Sequence, residues 1–240
     1  MSSPVAALPL IDDELDLLGE LVPLAGQEII ELGCGNAQLA RALLERHPGS
    51  RVTGLEVDER QHAKNVASPQ TGLRFVAAGA QAVPFPDASF DLALMLKSLH
   101  HVPPALMSQA LREVARVLRP GGHLYVSEPV FAGVYNDVIR LFNDEQSVRA
   151  AAQAALDEAV RSGAWQTVAD RWFETTVRFR DFKDFEQRMI GATYADRRLS
   201  EAGLAAVRAA FERHLGPEGA RFTRPMHVRL LRSIPVPRQS

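Results

Sequence analysis

The chain has 240 residues, a formal net charge of −2 and 46% hydrophobic residues. This length allows one full hydrophobic core with an added lobe, and the near-neutral charge excludes a global attraction to nucleic acid or to an anionic membrane. The single cysteine, Cys34, excludes an intramolecular disulfide and suits a reducing compartment. No apolar stretch approaches the roughly 20 residues of a membrane span, and no basic segment precedes the short apolar N-terminal stretch, so we expect a cytoplasmic protein.

Strands and helices alternate along the first half of the chain. The predicted strands are 28–32, 51–57, 73–78, 90–96 and 123–129, and the predicted helices are 12–24, 37–47, one beginning at Asp58, and 104–118. The nearly continuous apolar run FDLALML at 90–96 is typical of a central parallel strand buried on both faces. This alternation predicts a parallel sheet with helices on both faces, joined by right-handed crossovers.

The second half of the chain has a different pattern. Alanine-rich residues 131–170 predict a helical insertion, which could form a lid, and 172–182 predict a strand. Helices over 183–214 and a strand at 221–233 follow, in keeping with an antiparallel strand pair within 171–233. We therefore expect one domain over 1–240, with a ligand-binding core at about 10–130 and a boundary near Phe131.

The stretch ELGCGNAQLA at 31–40 lies where the first strand turns into a helix. Gly33 and Gly35 permit positive φ and leave room for a ligand against the backbone. The third glycine of the dinucleotide fingerprint is missing, since Gln38 takes its place, and there is no phosphate-binding lysine. Glu31 would repel a pyrophosphate but would suit an ammonium or sulfonium group. The stretch therefore indicates a cationic ligand without phosphate and disfavours a nicotinamide cofactor.

Two acids follow the second strand. A carboxylate about 20 residues after such a turn can accept hydrogen bonds from both hydroxyl groups of a ribose, and Glu56 lies at that distance. Asp58 is better explained as the N-cap of the next helix.

Four segments resemble, in order and spacing, the motifs of class I S-adenosylmethionine-dependent methyltransferases. These are EIIELGCGNAQLA, VTGLEVD, AVPFPDASFDLALMLKSLHHV and EVARVLRPGGHLYVSEP. The likeness is to the small-molecule and ubiquinone-methylating type and covers roughly residues 10–130. It implies a doubly wound, mostly parallel seven-stranded sheet with an antiparallel last strand and a helical insertion after strand five. It also implies S-adenosylmethionine as cofactor and a small molecule as methyl acceptor.

The resemblance, carried over position by position, also implies a set of cofactor-binding residues. Glu31 and the glycines would line the amino-acid end, Glu56 would bind the ribose, Val57 would lie against the adenine, and Leu96, Lys97 and Ser98 would run along the methionine part. The whole set is Glu31, Gly33, Cys34, Gly35, Asn36, Glu56, Val57, Gly79, Ala80, Gln81, Leu96 and Lys97.

Two positions depart from the family pattern. Ala37 stands where the family often has glycine, and Ala78-Gly79-Ala80 replaces Gly-Asp-Ala. The missing aspartate is the one that accepts a hydrogen bond from the adenine amino group, and Gln81 could supply an amide oxygen instead. These departures leave open an S-adenosylmethionine-binding protein of the same fold with little or no catalysis.

Methyl transfer depends mainly on alignment of the acceptor, so a general base is needed only when the acceptor must lose a proton. His100 and His101 are the candidates, and because adjacent residues point in different directions we expect at most one to face the pocket. Glu128, Phe131 and Tyr135 are candidates for binding the acceptor.

The charged residues, histidines and cysteine also lead to expectations about ion pairs, metal binding and RNA binding. Lys97 is expected to be solvated or to form an ion pair, for which Glu31 and Glu128 are the candidate partners. Arg140 is expected to take part in ordinary helix packing. The scattered histidines and the lone cysteine predict no metal site. An RNA acceptor would need phosphate contacts from the C-terminal arginines, for which a solvated face is the better reading. These arginines are Arg221, Arg224, Arg229, Arg232 and Arg238. A homodimer is left open.

Overall fold

The computed structural model describes residues 7–191 and 199–234, which fall into two compact units. The core unit comprises Asp13–Glu128, Val148–Arg171 and the described residues of Val228–Ser240. The second unit comprises the described residues of Met1–Asp12, Pro129–Ser147 and Trp172–His227. The chain leaves the core unit after Glu128. The single-domain organisation expected from the sequence, with its boundary near Phe131, stays a prediction.

The helices and strands are numbered in chain order. The helices are α1 (Glu14–Leu21), α2 (Gln38–Arg46), α3 (Glu59–Val66), α4 (Pro104–Val117), α5 (Gly133–Ile139), α6 (Gln146–Arg161), α7 (Phe182–Phe185) and α8 (Glu201–Glu212). The strands are β1 (Glu28–Leu32), β2 (Arg51–Glu56), β3 (Leu73–Ala77), β4 (Phe90–Leu96), β5 (Leu118–Pro129), β6 (Trp165–Phe179), β7 (Leu215–Gly216) and β8 (Gly219–Ser233). A 3₁₀ turn covers Leu99–His101, and a π-helical turn covers Glu186–Ile190.

The strands follow one another in the order β3-β2-β1-β4-β5-β8-β6, and the short β7 pairs with β8. All the pairs among β1 to β5 are parallel, whereas β7 and β8 are antiparallel. The chain order changes direction at β1 and β4, which is the position where ligands bind in open α/β sheets. The predicted fold class, a mostly parallel doubly wound sheet, is confirmed.

Local sequence signals set the starts of several core elements. The Asp58 carboxylate accepts hydrogen bonds from the backbone N–H groups of Arg60 (2.9 Å) and Gln61 (3.2 Å), so its predicted role as the N-cap of α3 is confirmed. Pro104 takes the first position of α4, where its missing N–H has no cost. The interior of β4 is buried from Leu92 to Met95, as its continuous apolar pattern predicts for a central strand.

The largest difference from prediction concerns the helical insertion. Helices α5 and α6 fall within it, but β6 begins at Trp165, so the stretch predicted to be helical to 170 is wrong over its last six residues. Trp165 is 2% exposed and belongs to the same hydrophobic cluster as Leu231 of β8. Burial of this indole ring in the sheet therefore overrides the helical preference of the alanine-rich segment before it.

The second unit has a core of its own, built mainly from aromatic rings. Phe179 of β6 lies within 6.3 Å, between ring centroids, of four other aromatic rings. These rings are Tyr135, Phe185, Phe211 and Phe222. Part of the helical stretch predicted at 183–214 lies in this unit, and 192–198 of it fall outside the described residues.

Within residues 7–191 and 199–234, no helix is both long enough and apolar enough to cross a membrane. The cytoplasmic location stays a prediction.

Candidate functional site

The turn between β1 and α2 is held by backbone contacts to β2. The N–H groups of Gly33 and Cys34 both donate to the Leu55 carbonyl oxygen, each at 2.9 Å. Gly33 has φ +71°, and a Cβ added there would lie 2.8 Å from the Cβ of Ser98, so packing alone requires glycine. Gly35 has φ +52°, and a Cβ there would meet no atom within 4 Å. The space beside Gly35 is therefore the open part of the turn, where a ligand can lie against the backbone.

Ala37 completes this turn in the left-handed region, with φ 55° and ψ 31°. Its N–H donates to the Cys34 carbonyl oxygen at 2.8 Å, and its side chain is fully buried. An L-residue in this conformation costs roughly 1–2 kcal/mol relative to glycine. The alanine that departs from the family pattern therefore holds, with local strain, a backbone conformation that glycine adopts without that cost.

Glu31 is a buried acid at the end of β1. The residue is only 4% exposed, and its Oε2 has no hydrogen-bond partner among the described residues. Burial raises the pKa of this carboxyl to about 8; the charge of Lys97 acts against that rise, and the charges of Glu14 and Glu56 add to it. A buried oxygen without a partner is costly, and a cation beside it would satisfy both its charge and its hydrogen bond.

Glu56 ends β2 and is held by three backbone donors. The N–H of Gly35 donates to its Oε2 at 2.8 Å, and those of Val57 and Asp58 donate to its Oε1, each at 2.9 Å. An ionised carboxylate offers about four acceptor positions, so capacity for a further donor remains. Val57 is 68% exposed, which is high for an apolar residue next to a buried acid. An acid joined to the glycine turn, beside an open apolar surface, suits a ribose with its attached base.

The two adjacent histidines differ in environment. His100 is 4% exposed, whereas His101 is exposed to solvent. Their ring centroids lie only 4.1 Å apart, so the expectation that the two side chains point in different directions is wrong, and the expectation that at most one faces the pocket stays a prediction. The Nδ1 of His100 contacts the Oε2 of Glu128 at the end of β5, and the Oε1 of Glu128 accepts the N–H of Leu99 at 2.9 Å. Both oxygens of this buried carboxylate are thus engaged in holding the histidine turn. The role of Glu128 in binding an acceptor stays a prediction.

Lys97 follows β4 with φ +56°, a conformation that is strained for a lysine. Its Nζ lies 3.1 Å from the Oε2 of Glu14, so the expected ion pair with Glu31 or Glu128 is wrong. The partner comes from α1, which packs on this side of the sheet and brings Glu14 near a residue 83 positions later in the chain. The sequence offered no signal for this contact beyond an acid in the first turn of an amphipathic helix.

Gly79 is covered by the side chain of Gln81. A Cβ at Gly79 would lie 2.5 Å from the Oε1 and 2.7 Å from the Nε2 of Gln81. The carboxamide of Gln81 therefore occupies the place where the side chain of an aspartate at 79 would begin. That Gln81 provides a polar group for the adenine in place of the missing aspartate stays a prediction.

Comparison with known proteins agrees with this geometry. Residues 30–126 match a family model described as a methyltransferase domain. The chain is 35% identical over 136 residues to a 27-O-demethylrifamycin SV methyltransferase from Amycolatopsis mediterranei, covering 52% of this chain and 49% of that protein. It is 34% identical over 116 residues to a ubiquinone/menaquinone biosynthesis C-methyltransferase from Paracoccus denitrificans, covering 45% of this chain and 44% of that protein.

Residues 30–126 form a class I, S-adenosylmethionine-dependent methyltransferase domain. The recognition made from the four motifs is thereby confirmed. A solved structure of a methyltransferase-like protein from Bacillus halodurans has the same fold, with a TM-score of 0.64 at 15% identity over 93% of this chain and 99% of that one. The chain spans about half the length, or less, of the curated relatives it matches.

Two observations show that the residues of the methyltransferase domain suit S-adenosylmethionine. The partnerless oxygen of Glu31 meets the need of an ammonium group, and the open space beside Gly35 meets the need of a ligand that lies against the turn. The assignment of individual cofactor contacts, including those of Cys34, Asn36, Ala80 and Leu96, stays a prediction. Cys34 is buried, and burial raises the pKa of its thiol, so it is present as an uncharged packing group.

Replacing Glu56 by alanine is expected to weaken cofactor binding at least about tenfold. The change removes the predicted ribose contact and also frees three backbone donors that shape the turn at Gly35. Isothermal titration with S-adenosylmethionine measures the effect, and Glu59→Ala, an exposed acid on α3, is the matched control. An unchanged dissociation constant for Glu56→Ala would show that this acid does not bind the ribose.

An aspartate at position 79 is expected to help only when Gln81 is shortened as well. Gly79→Asp alone forces the Gln81 carboxamide to move, so little net gain is expected. The double variant with Gln81→Ala restores the adenine contact without the clash and should bind the cofactor about 2- to 10-fold more tightly than Gln81→Ala alone. Equal affinities of these two variants would contradict the assignment of this loop to the adenine.

The second unit contains the other candidates for binding an acceptor. Tyr135 is 4% exposed and packs against Phe179 and Phe222, while the Arg140 guanidinium lies 5.8 Å from the centre of the Phe131 ring. Packing contacts thus account for Tyr135 and Arg140. The roles of Phe131 and Tyr135 in binding an acceptor stay predictions.

Three of the arginines considered for RNA binding have local partners. Arg229 pairs with Asp157, Arg232 donates to Gln166, and Arg224 lies 5.9 Å from the centre of the Tyr135 ring. Arg238 lies outside the described residues. These contacts favour a structural role over a phosphate-binding surface.

Proposed function

We propose that the protein transfers a methyl group from S-adenosylmethionine to a hydroxyl group of a small molecule, with His100 as general base. The observation that carries this proposal is the contact between Nδ1 of the buried His100 and the carboxylate of Glu128. A histidine whose one nitrogen is held by a carboxylate has its ring, and hence its other nitrogen, fixed in orientation. Such an arrangement is of use to a methyltransferase when the acceptor has to lose a proton.

Each residue then has a defined task. Bound S-adenosylmethionine supplies the activated methyl carbon, so the protein needs to hold the acceptor in line and exclude water. Glu31 holds the ammonium group, and Glu56 orients the ribose. The Nδ1–H of His100 donates to Glu128, which leaves Nε2 with the lone pair that receives the proton of the acceptor hydroxyl. Glu128, which contacts the other side of the ring, stabilises the imidazolium that results.

The names of two relatives support an oxygen atom as the methylated position. Besides the rifamycin enzyme, a fatty-acid O-methyltransferase from Mycolicibacterium smegmatis is 37% identical over 110 residues, covering 43% of this chain and 37% of that protein. Both names specify transfer to oxygen, whereas the Paracoccus denitrificans enzyme is named a C-methyltransferase. Each match covers half of the relative or less, so the acceptors of the relatives do not carry over to this chain. A hydroxyl acceptor is therefore part of our proposal. A homodimer likewise stays a prediction.

A second candidate function is cofactor binding without methyl transfer. A solved structure named as the [4+2]-cyclase SpnF matches with a TM-score of 0.61 at 23% identity, covering 96% of this chain and 87% of that chain. That name describes chemistry other than methylation on the same fold. The strained Ala37 and the missing aspartate at Gly79 are the observations that support this alternative.

Two measurements separate these functions. Isothermal titration with S-adenosylmethionine tests cofactor binding, and mass spectrometry of reactions with a panel of phenols, hydroxy fatty acids and hydroxylated macrolides tests transfer. Binding with a product heavier by one methylene group supports the proposal. Binding with no methylated product from any acceptor supports the second candidate, and absence of binding would contradict both.

A further inference from the structure

Charged residues from three elements meet on one face of the core sheet. Glu31 of β1 and Tyr125 of β5 lie on the same face, because each is in register with Leu94 of the strand between them. The Tyr125 hydroxyl donates to the Oε1 of Glu14 at 3.2 Å, and the Lys97 ammonium lies 3.1 Å from its Oε2. One acid of this group thus has two partners, whereas the Oε2 of Glu31 has none among the described residues.

We propose that Glu14 is a positioning residue that holds Lys97 away from Glu31 and so keeps the Glu31 carboxyl group open to the ammonium group of the cofactor. This inference rests on the proposed function, since it concerns the binding of S-adenosylmethionine at the same site. Glu14 itself is not assigned a contact with the cofactor.

The position of Lys97 leaves two acids as alternatives for its ammonium group. Its backbone is tied to β5, since its N–H donates to the Ser127 carbonyl oxygen at 2.7 Å. Its charge acts on the buried Glu31, yet its Nζ pairs with Glu14. An internal cation on Glu31 would compete directly with the cation of the ligand, because a single carboxylate in a low-dielectric site binds one of them strongly.

Glu14 is well placed to win this competition in the free protein. It lies in the first turn of α1, whose start is fixed by the N-cap Asp13, which accepts the Leu15 N–H at 3.0 Å and also pairs with Arg46 of α2. Its side chain is 14% exposed, so its pair with Lys97 is only partly screened by water. The Tyr125 hydroxyl donates a hydrogen bond to the other oxygen of Glu14, Oε1, and so helps to fix the carboxylate that pairs with Lys97. Glu14 of α1 therefore holds the Lys97 ammonium group where it does not occupy the Glu31 carboxyl group.

A double-mutant cycle tests this role. The variants are Glu14→Gln, Lys97→Met and the combination of both, with Glu20→Gln, an exposed acid on the same helix, as the matched control. Glu14→Gln should weaken S-adenosylmethionine binding about tenfold, since Lys97 then pairs with Glu31. In the Lys97→Met background the same change should leave the dissociation constant within about threefold, because no competing cation remains. Isothermal titration gives the four affinities, and thermal denaturation confirms folding.

The outcomes separate this inference from the function on which it rests. Rescue of Glu14→Gln by Lys97→Met supports the positioning role, because a merely structural loss would persist in both backgrounds. An equal loss in both backgrounds, or no loss in either, overturns the inference while the binding of S-adenosylmethionine by the parent chain upholds the proposed function. No binding by the parent chain would overturn both.

Discussion

Replacing His100 by asparagine is expected to lower the rate of methyl transfer by about 10²- to 10⁴-fold, with cofactor affinity within about threefold of the parent. The asparagine amide can occupy the place of Nδ1 and still donate to Glu128, so the buried carboxylate keeps a partner. What it lacks is the second ring nitrogen, which is the proposed base. Single-turnover rates with an identified hydroxyl acceptor measure the loss.

Two further variants make this prediction specific. His101→Asn changes the exposed neighbour in the same way and should retain most of the activity. Glu128→Gln keeps the size of the side chain but removes the charge that stabilises the imidazolium, so an intermediate loss is expected. Full activity of His100→Asn would remove the base from the mechanism, and a large loss in His101→Asn instead would assign the role to the exposed histidine.

Replacing Glu31 by glutamine is expected to weaken the binding of S-adenosylmethionine by about 10²-fold, since a charge-assisted contact in a buried site is worth about 1.5–3 kcal/mol. The variant should also abolish the proton release that accompanies binding. Titrations at pH 6.5 in buffers of different ionisation enthalpy measure both quantities in one series.

The sign of the proton release follows from the environment of Glu31. Burial raises its pKa to about 8, so at pH 6.5 the carboxyl group is protonated in the free protein. The groups whose charges act on it are Lys97, which lowers the pKa, and Glu14 and Glu56, which raise it. An ammonium ligand binds the ionised form, so binding should release up to one proton at this pH. Equal proton release from the parent and from Glu31→Gln would contradict the assignment.

The same raised pKa has a consequence for stability. Glu31 has an ordinary pKa of 4.5, so between pH 4.5 and 8 the unfolded chain binds fewer protons at this site than the folded one. Its contribution to the free energy of unfolding therefore falls as the pH rises through this window. We expect Glu31→Gln to melt at a higher temperature than the parent at pH 8 in the absence of cofactor. The buried acid at position 31 thus lowers the free energy of unfolding while it is expected to strengthen the binding of S-adenosylmethionine.

Much of the site could be predicted from the sequence because it depends on neighbours in the chain. The turn at Gly33 and Gly35, and the cap at Asp58, are contacts over a few residues, so spacing alone determines them. The apolar pattern of 90–96 determines a buried central strand for the same reason. The order of such elements along the chain then leads to the parallel sheet and places Glu31 and Glu56 at its carboxyl edge.

The tertiary structure decided which distant residues meet. Lys97 pairs with Glu14, 83 residues away, and His100 pairs with Glu128, 28 residues away. Several other acids lie within the same distances along the sequence, so spacing does not identify the partner of the lysine or of the histidine. The start of β6 at Trp165 likewise depends on the sheet that buries its ring. Local spacing carries no information on such contacts, because they form only when packing brings separate elements together and removes the alternatives from water.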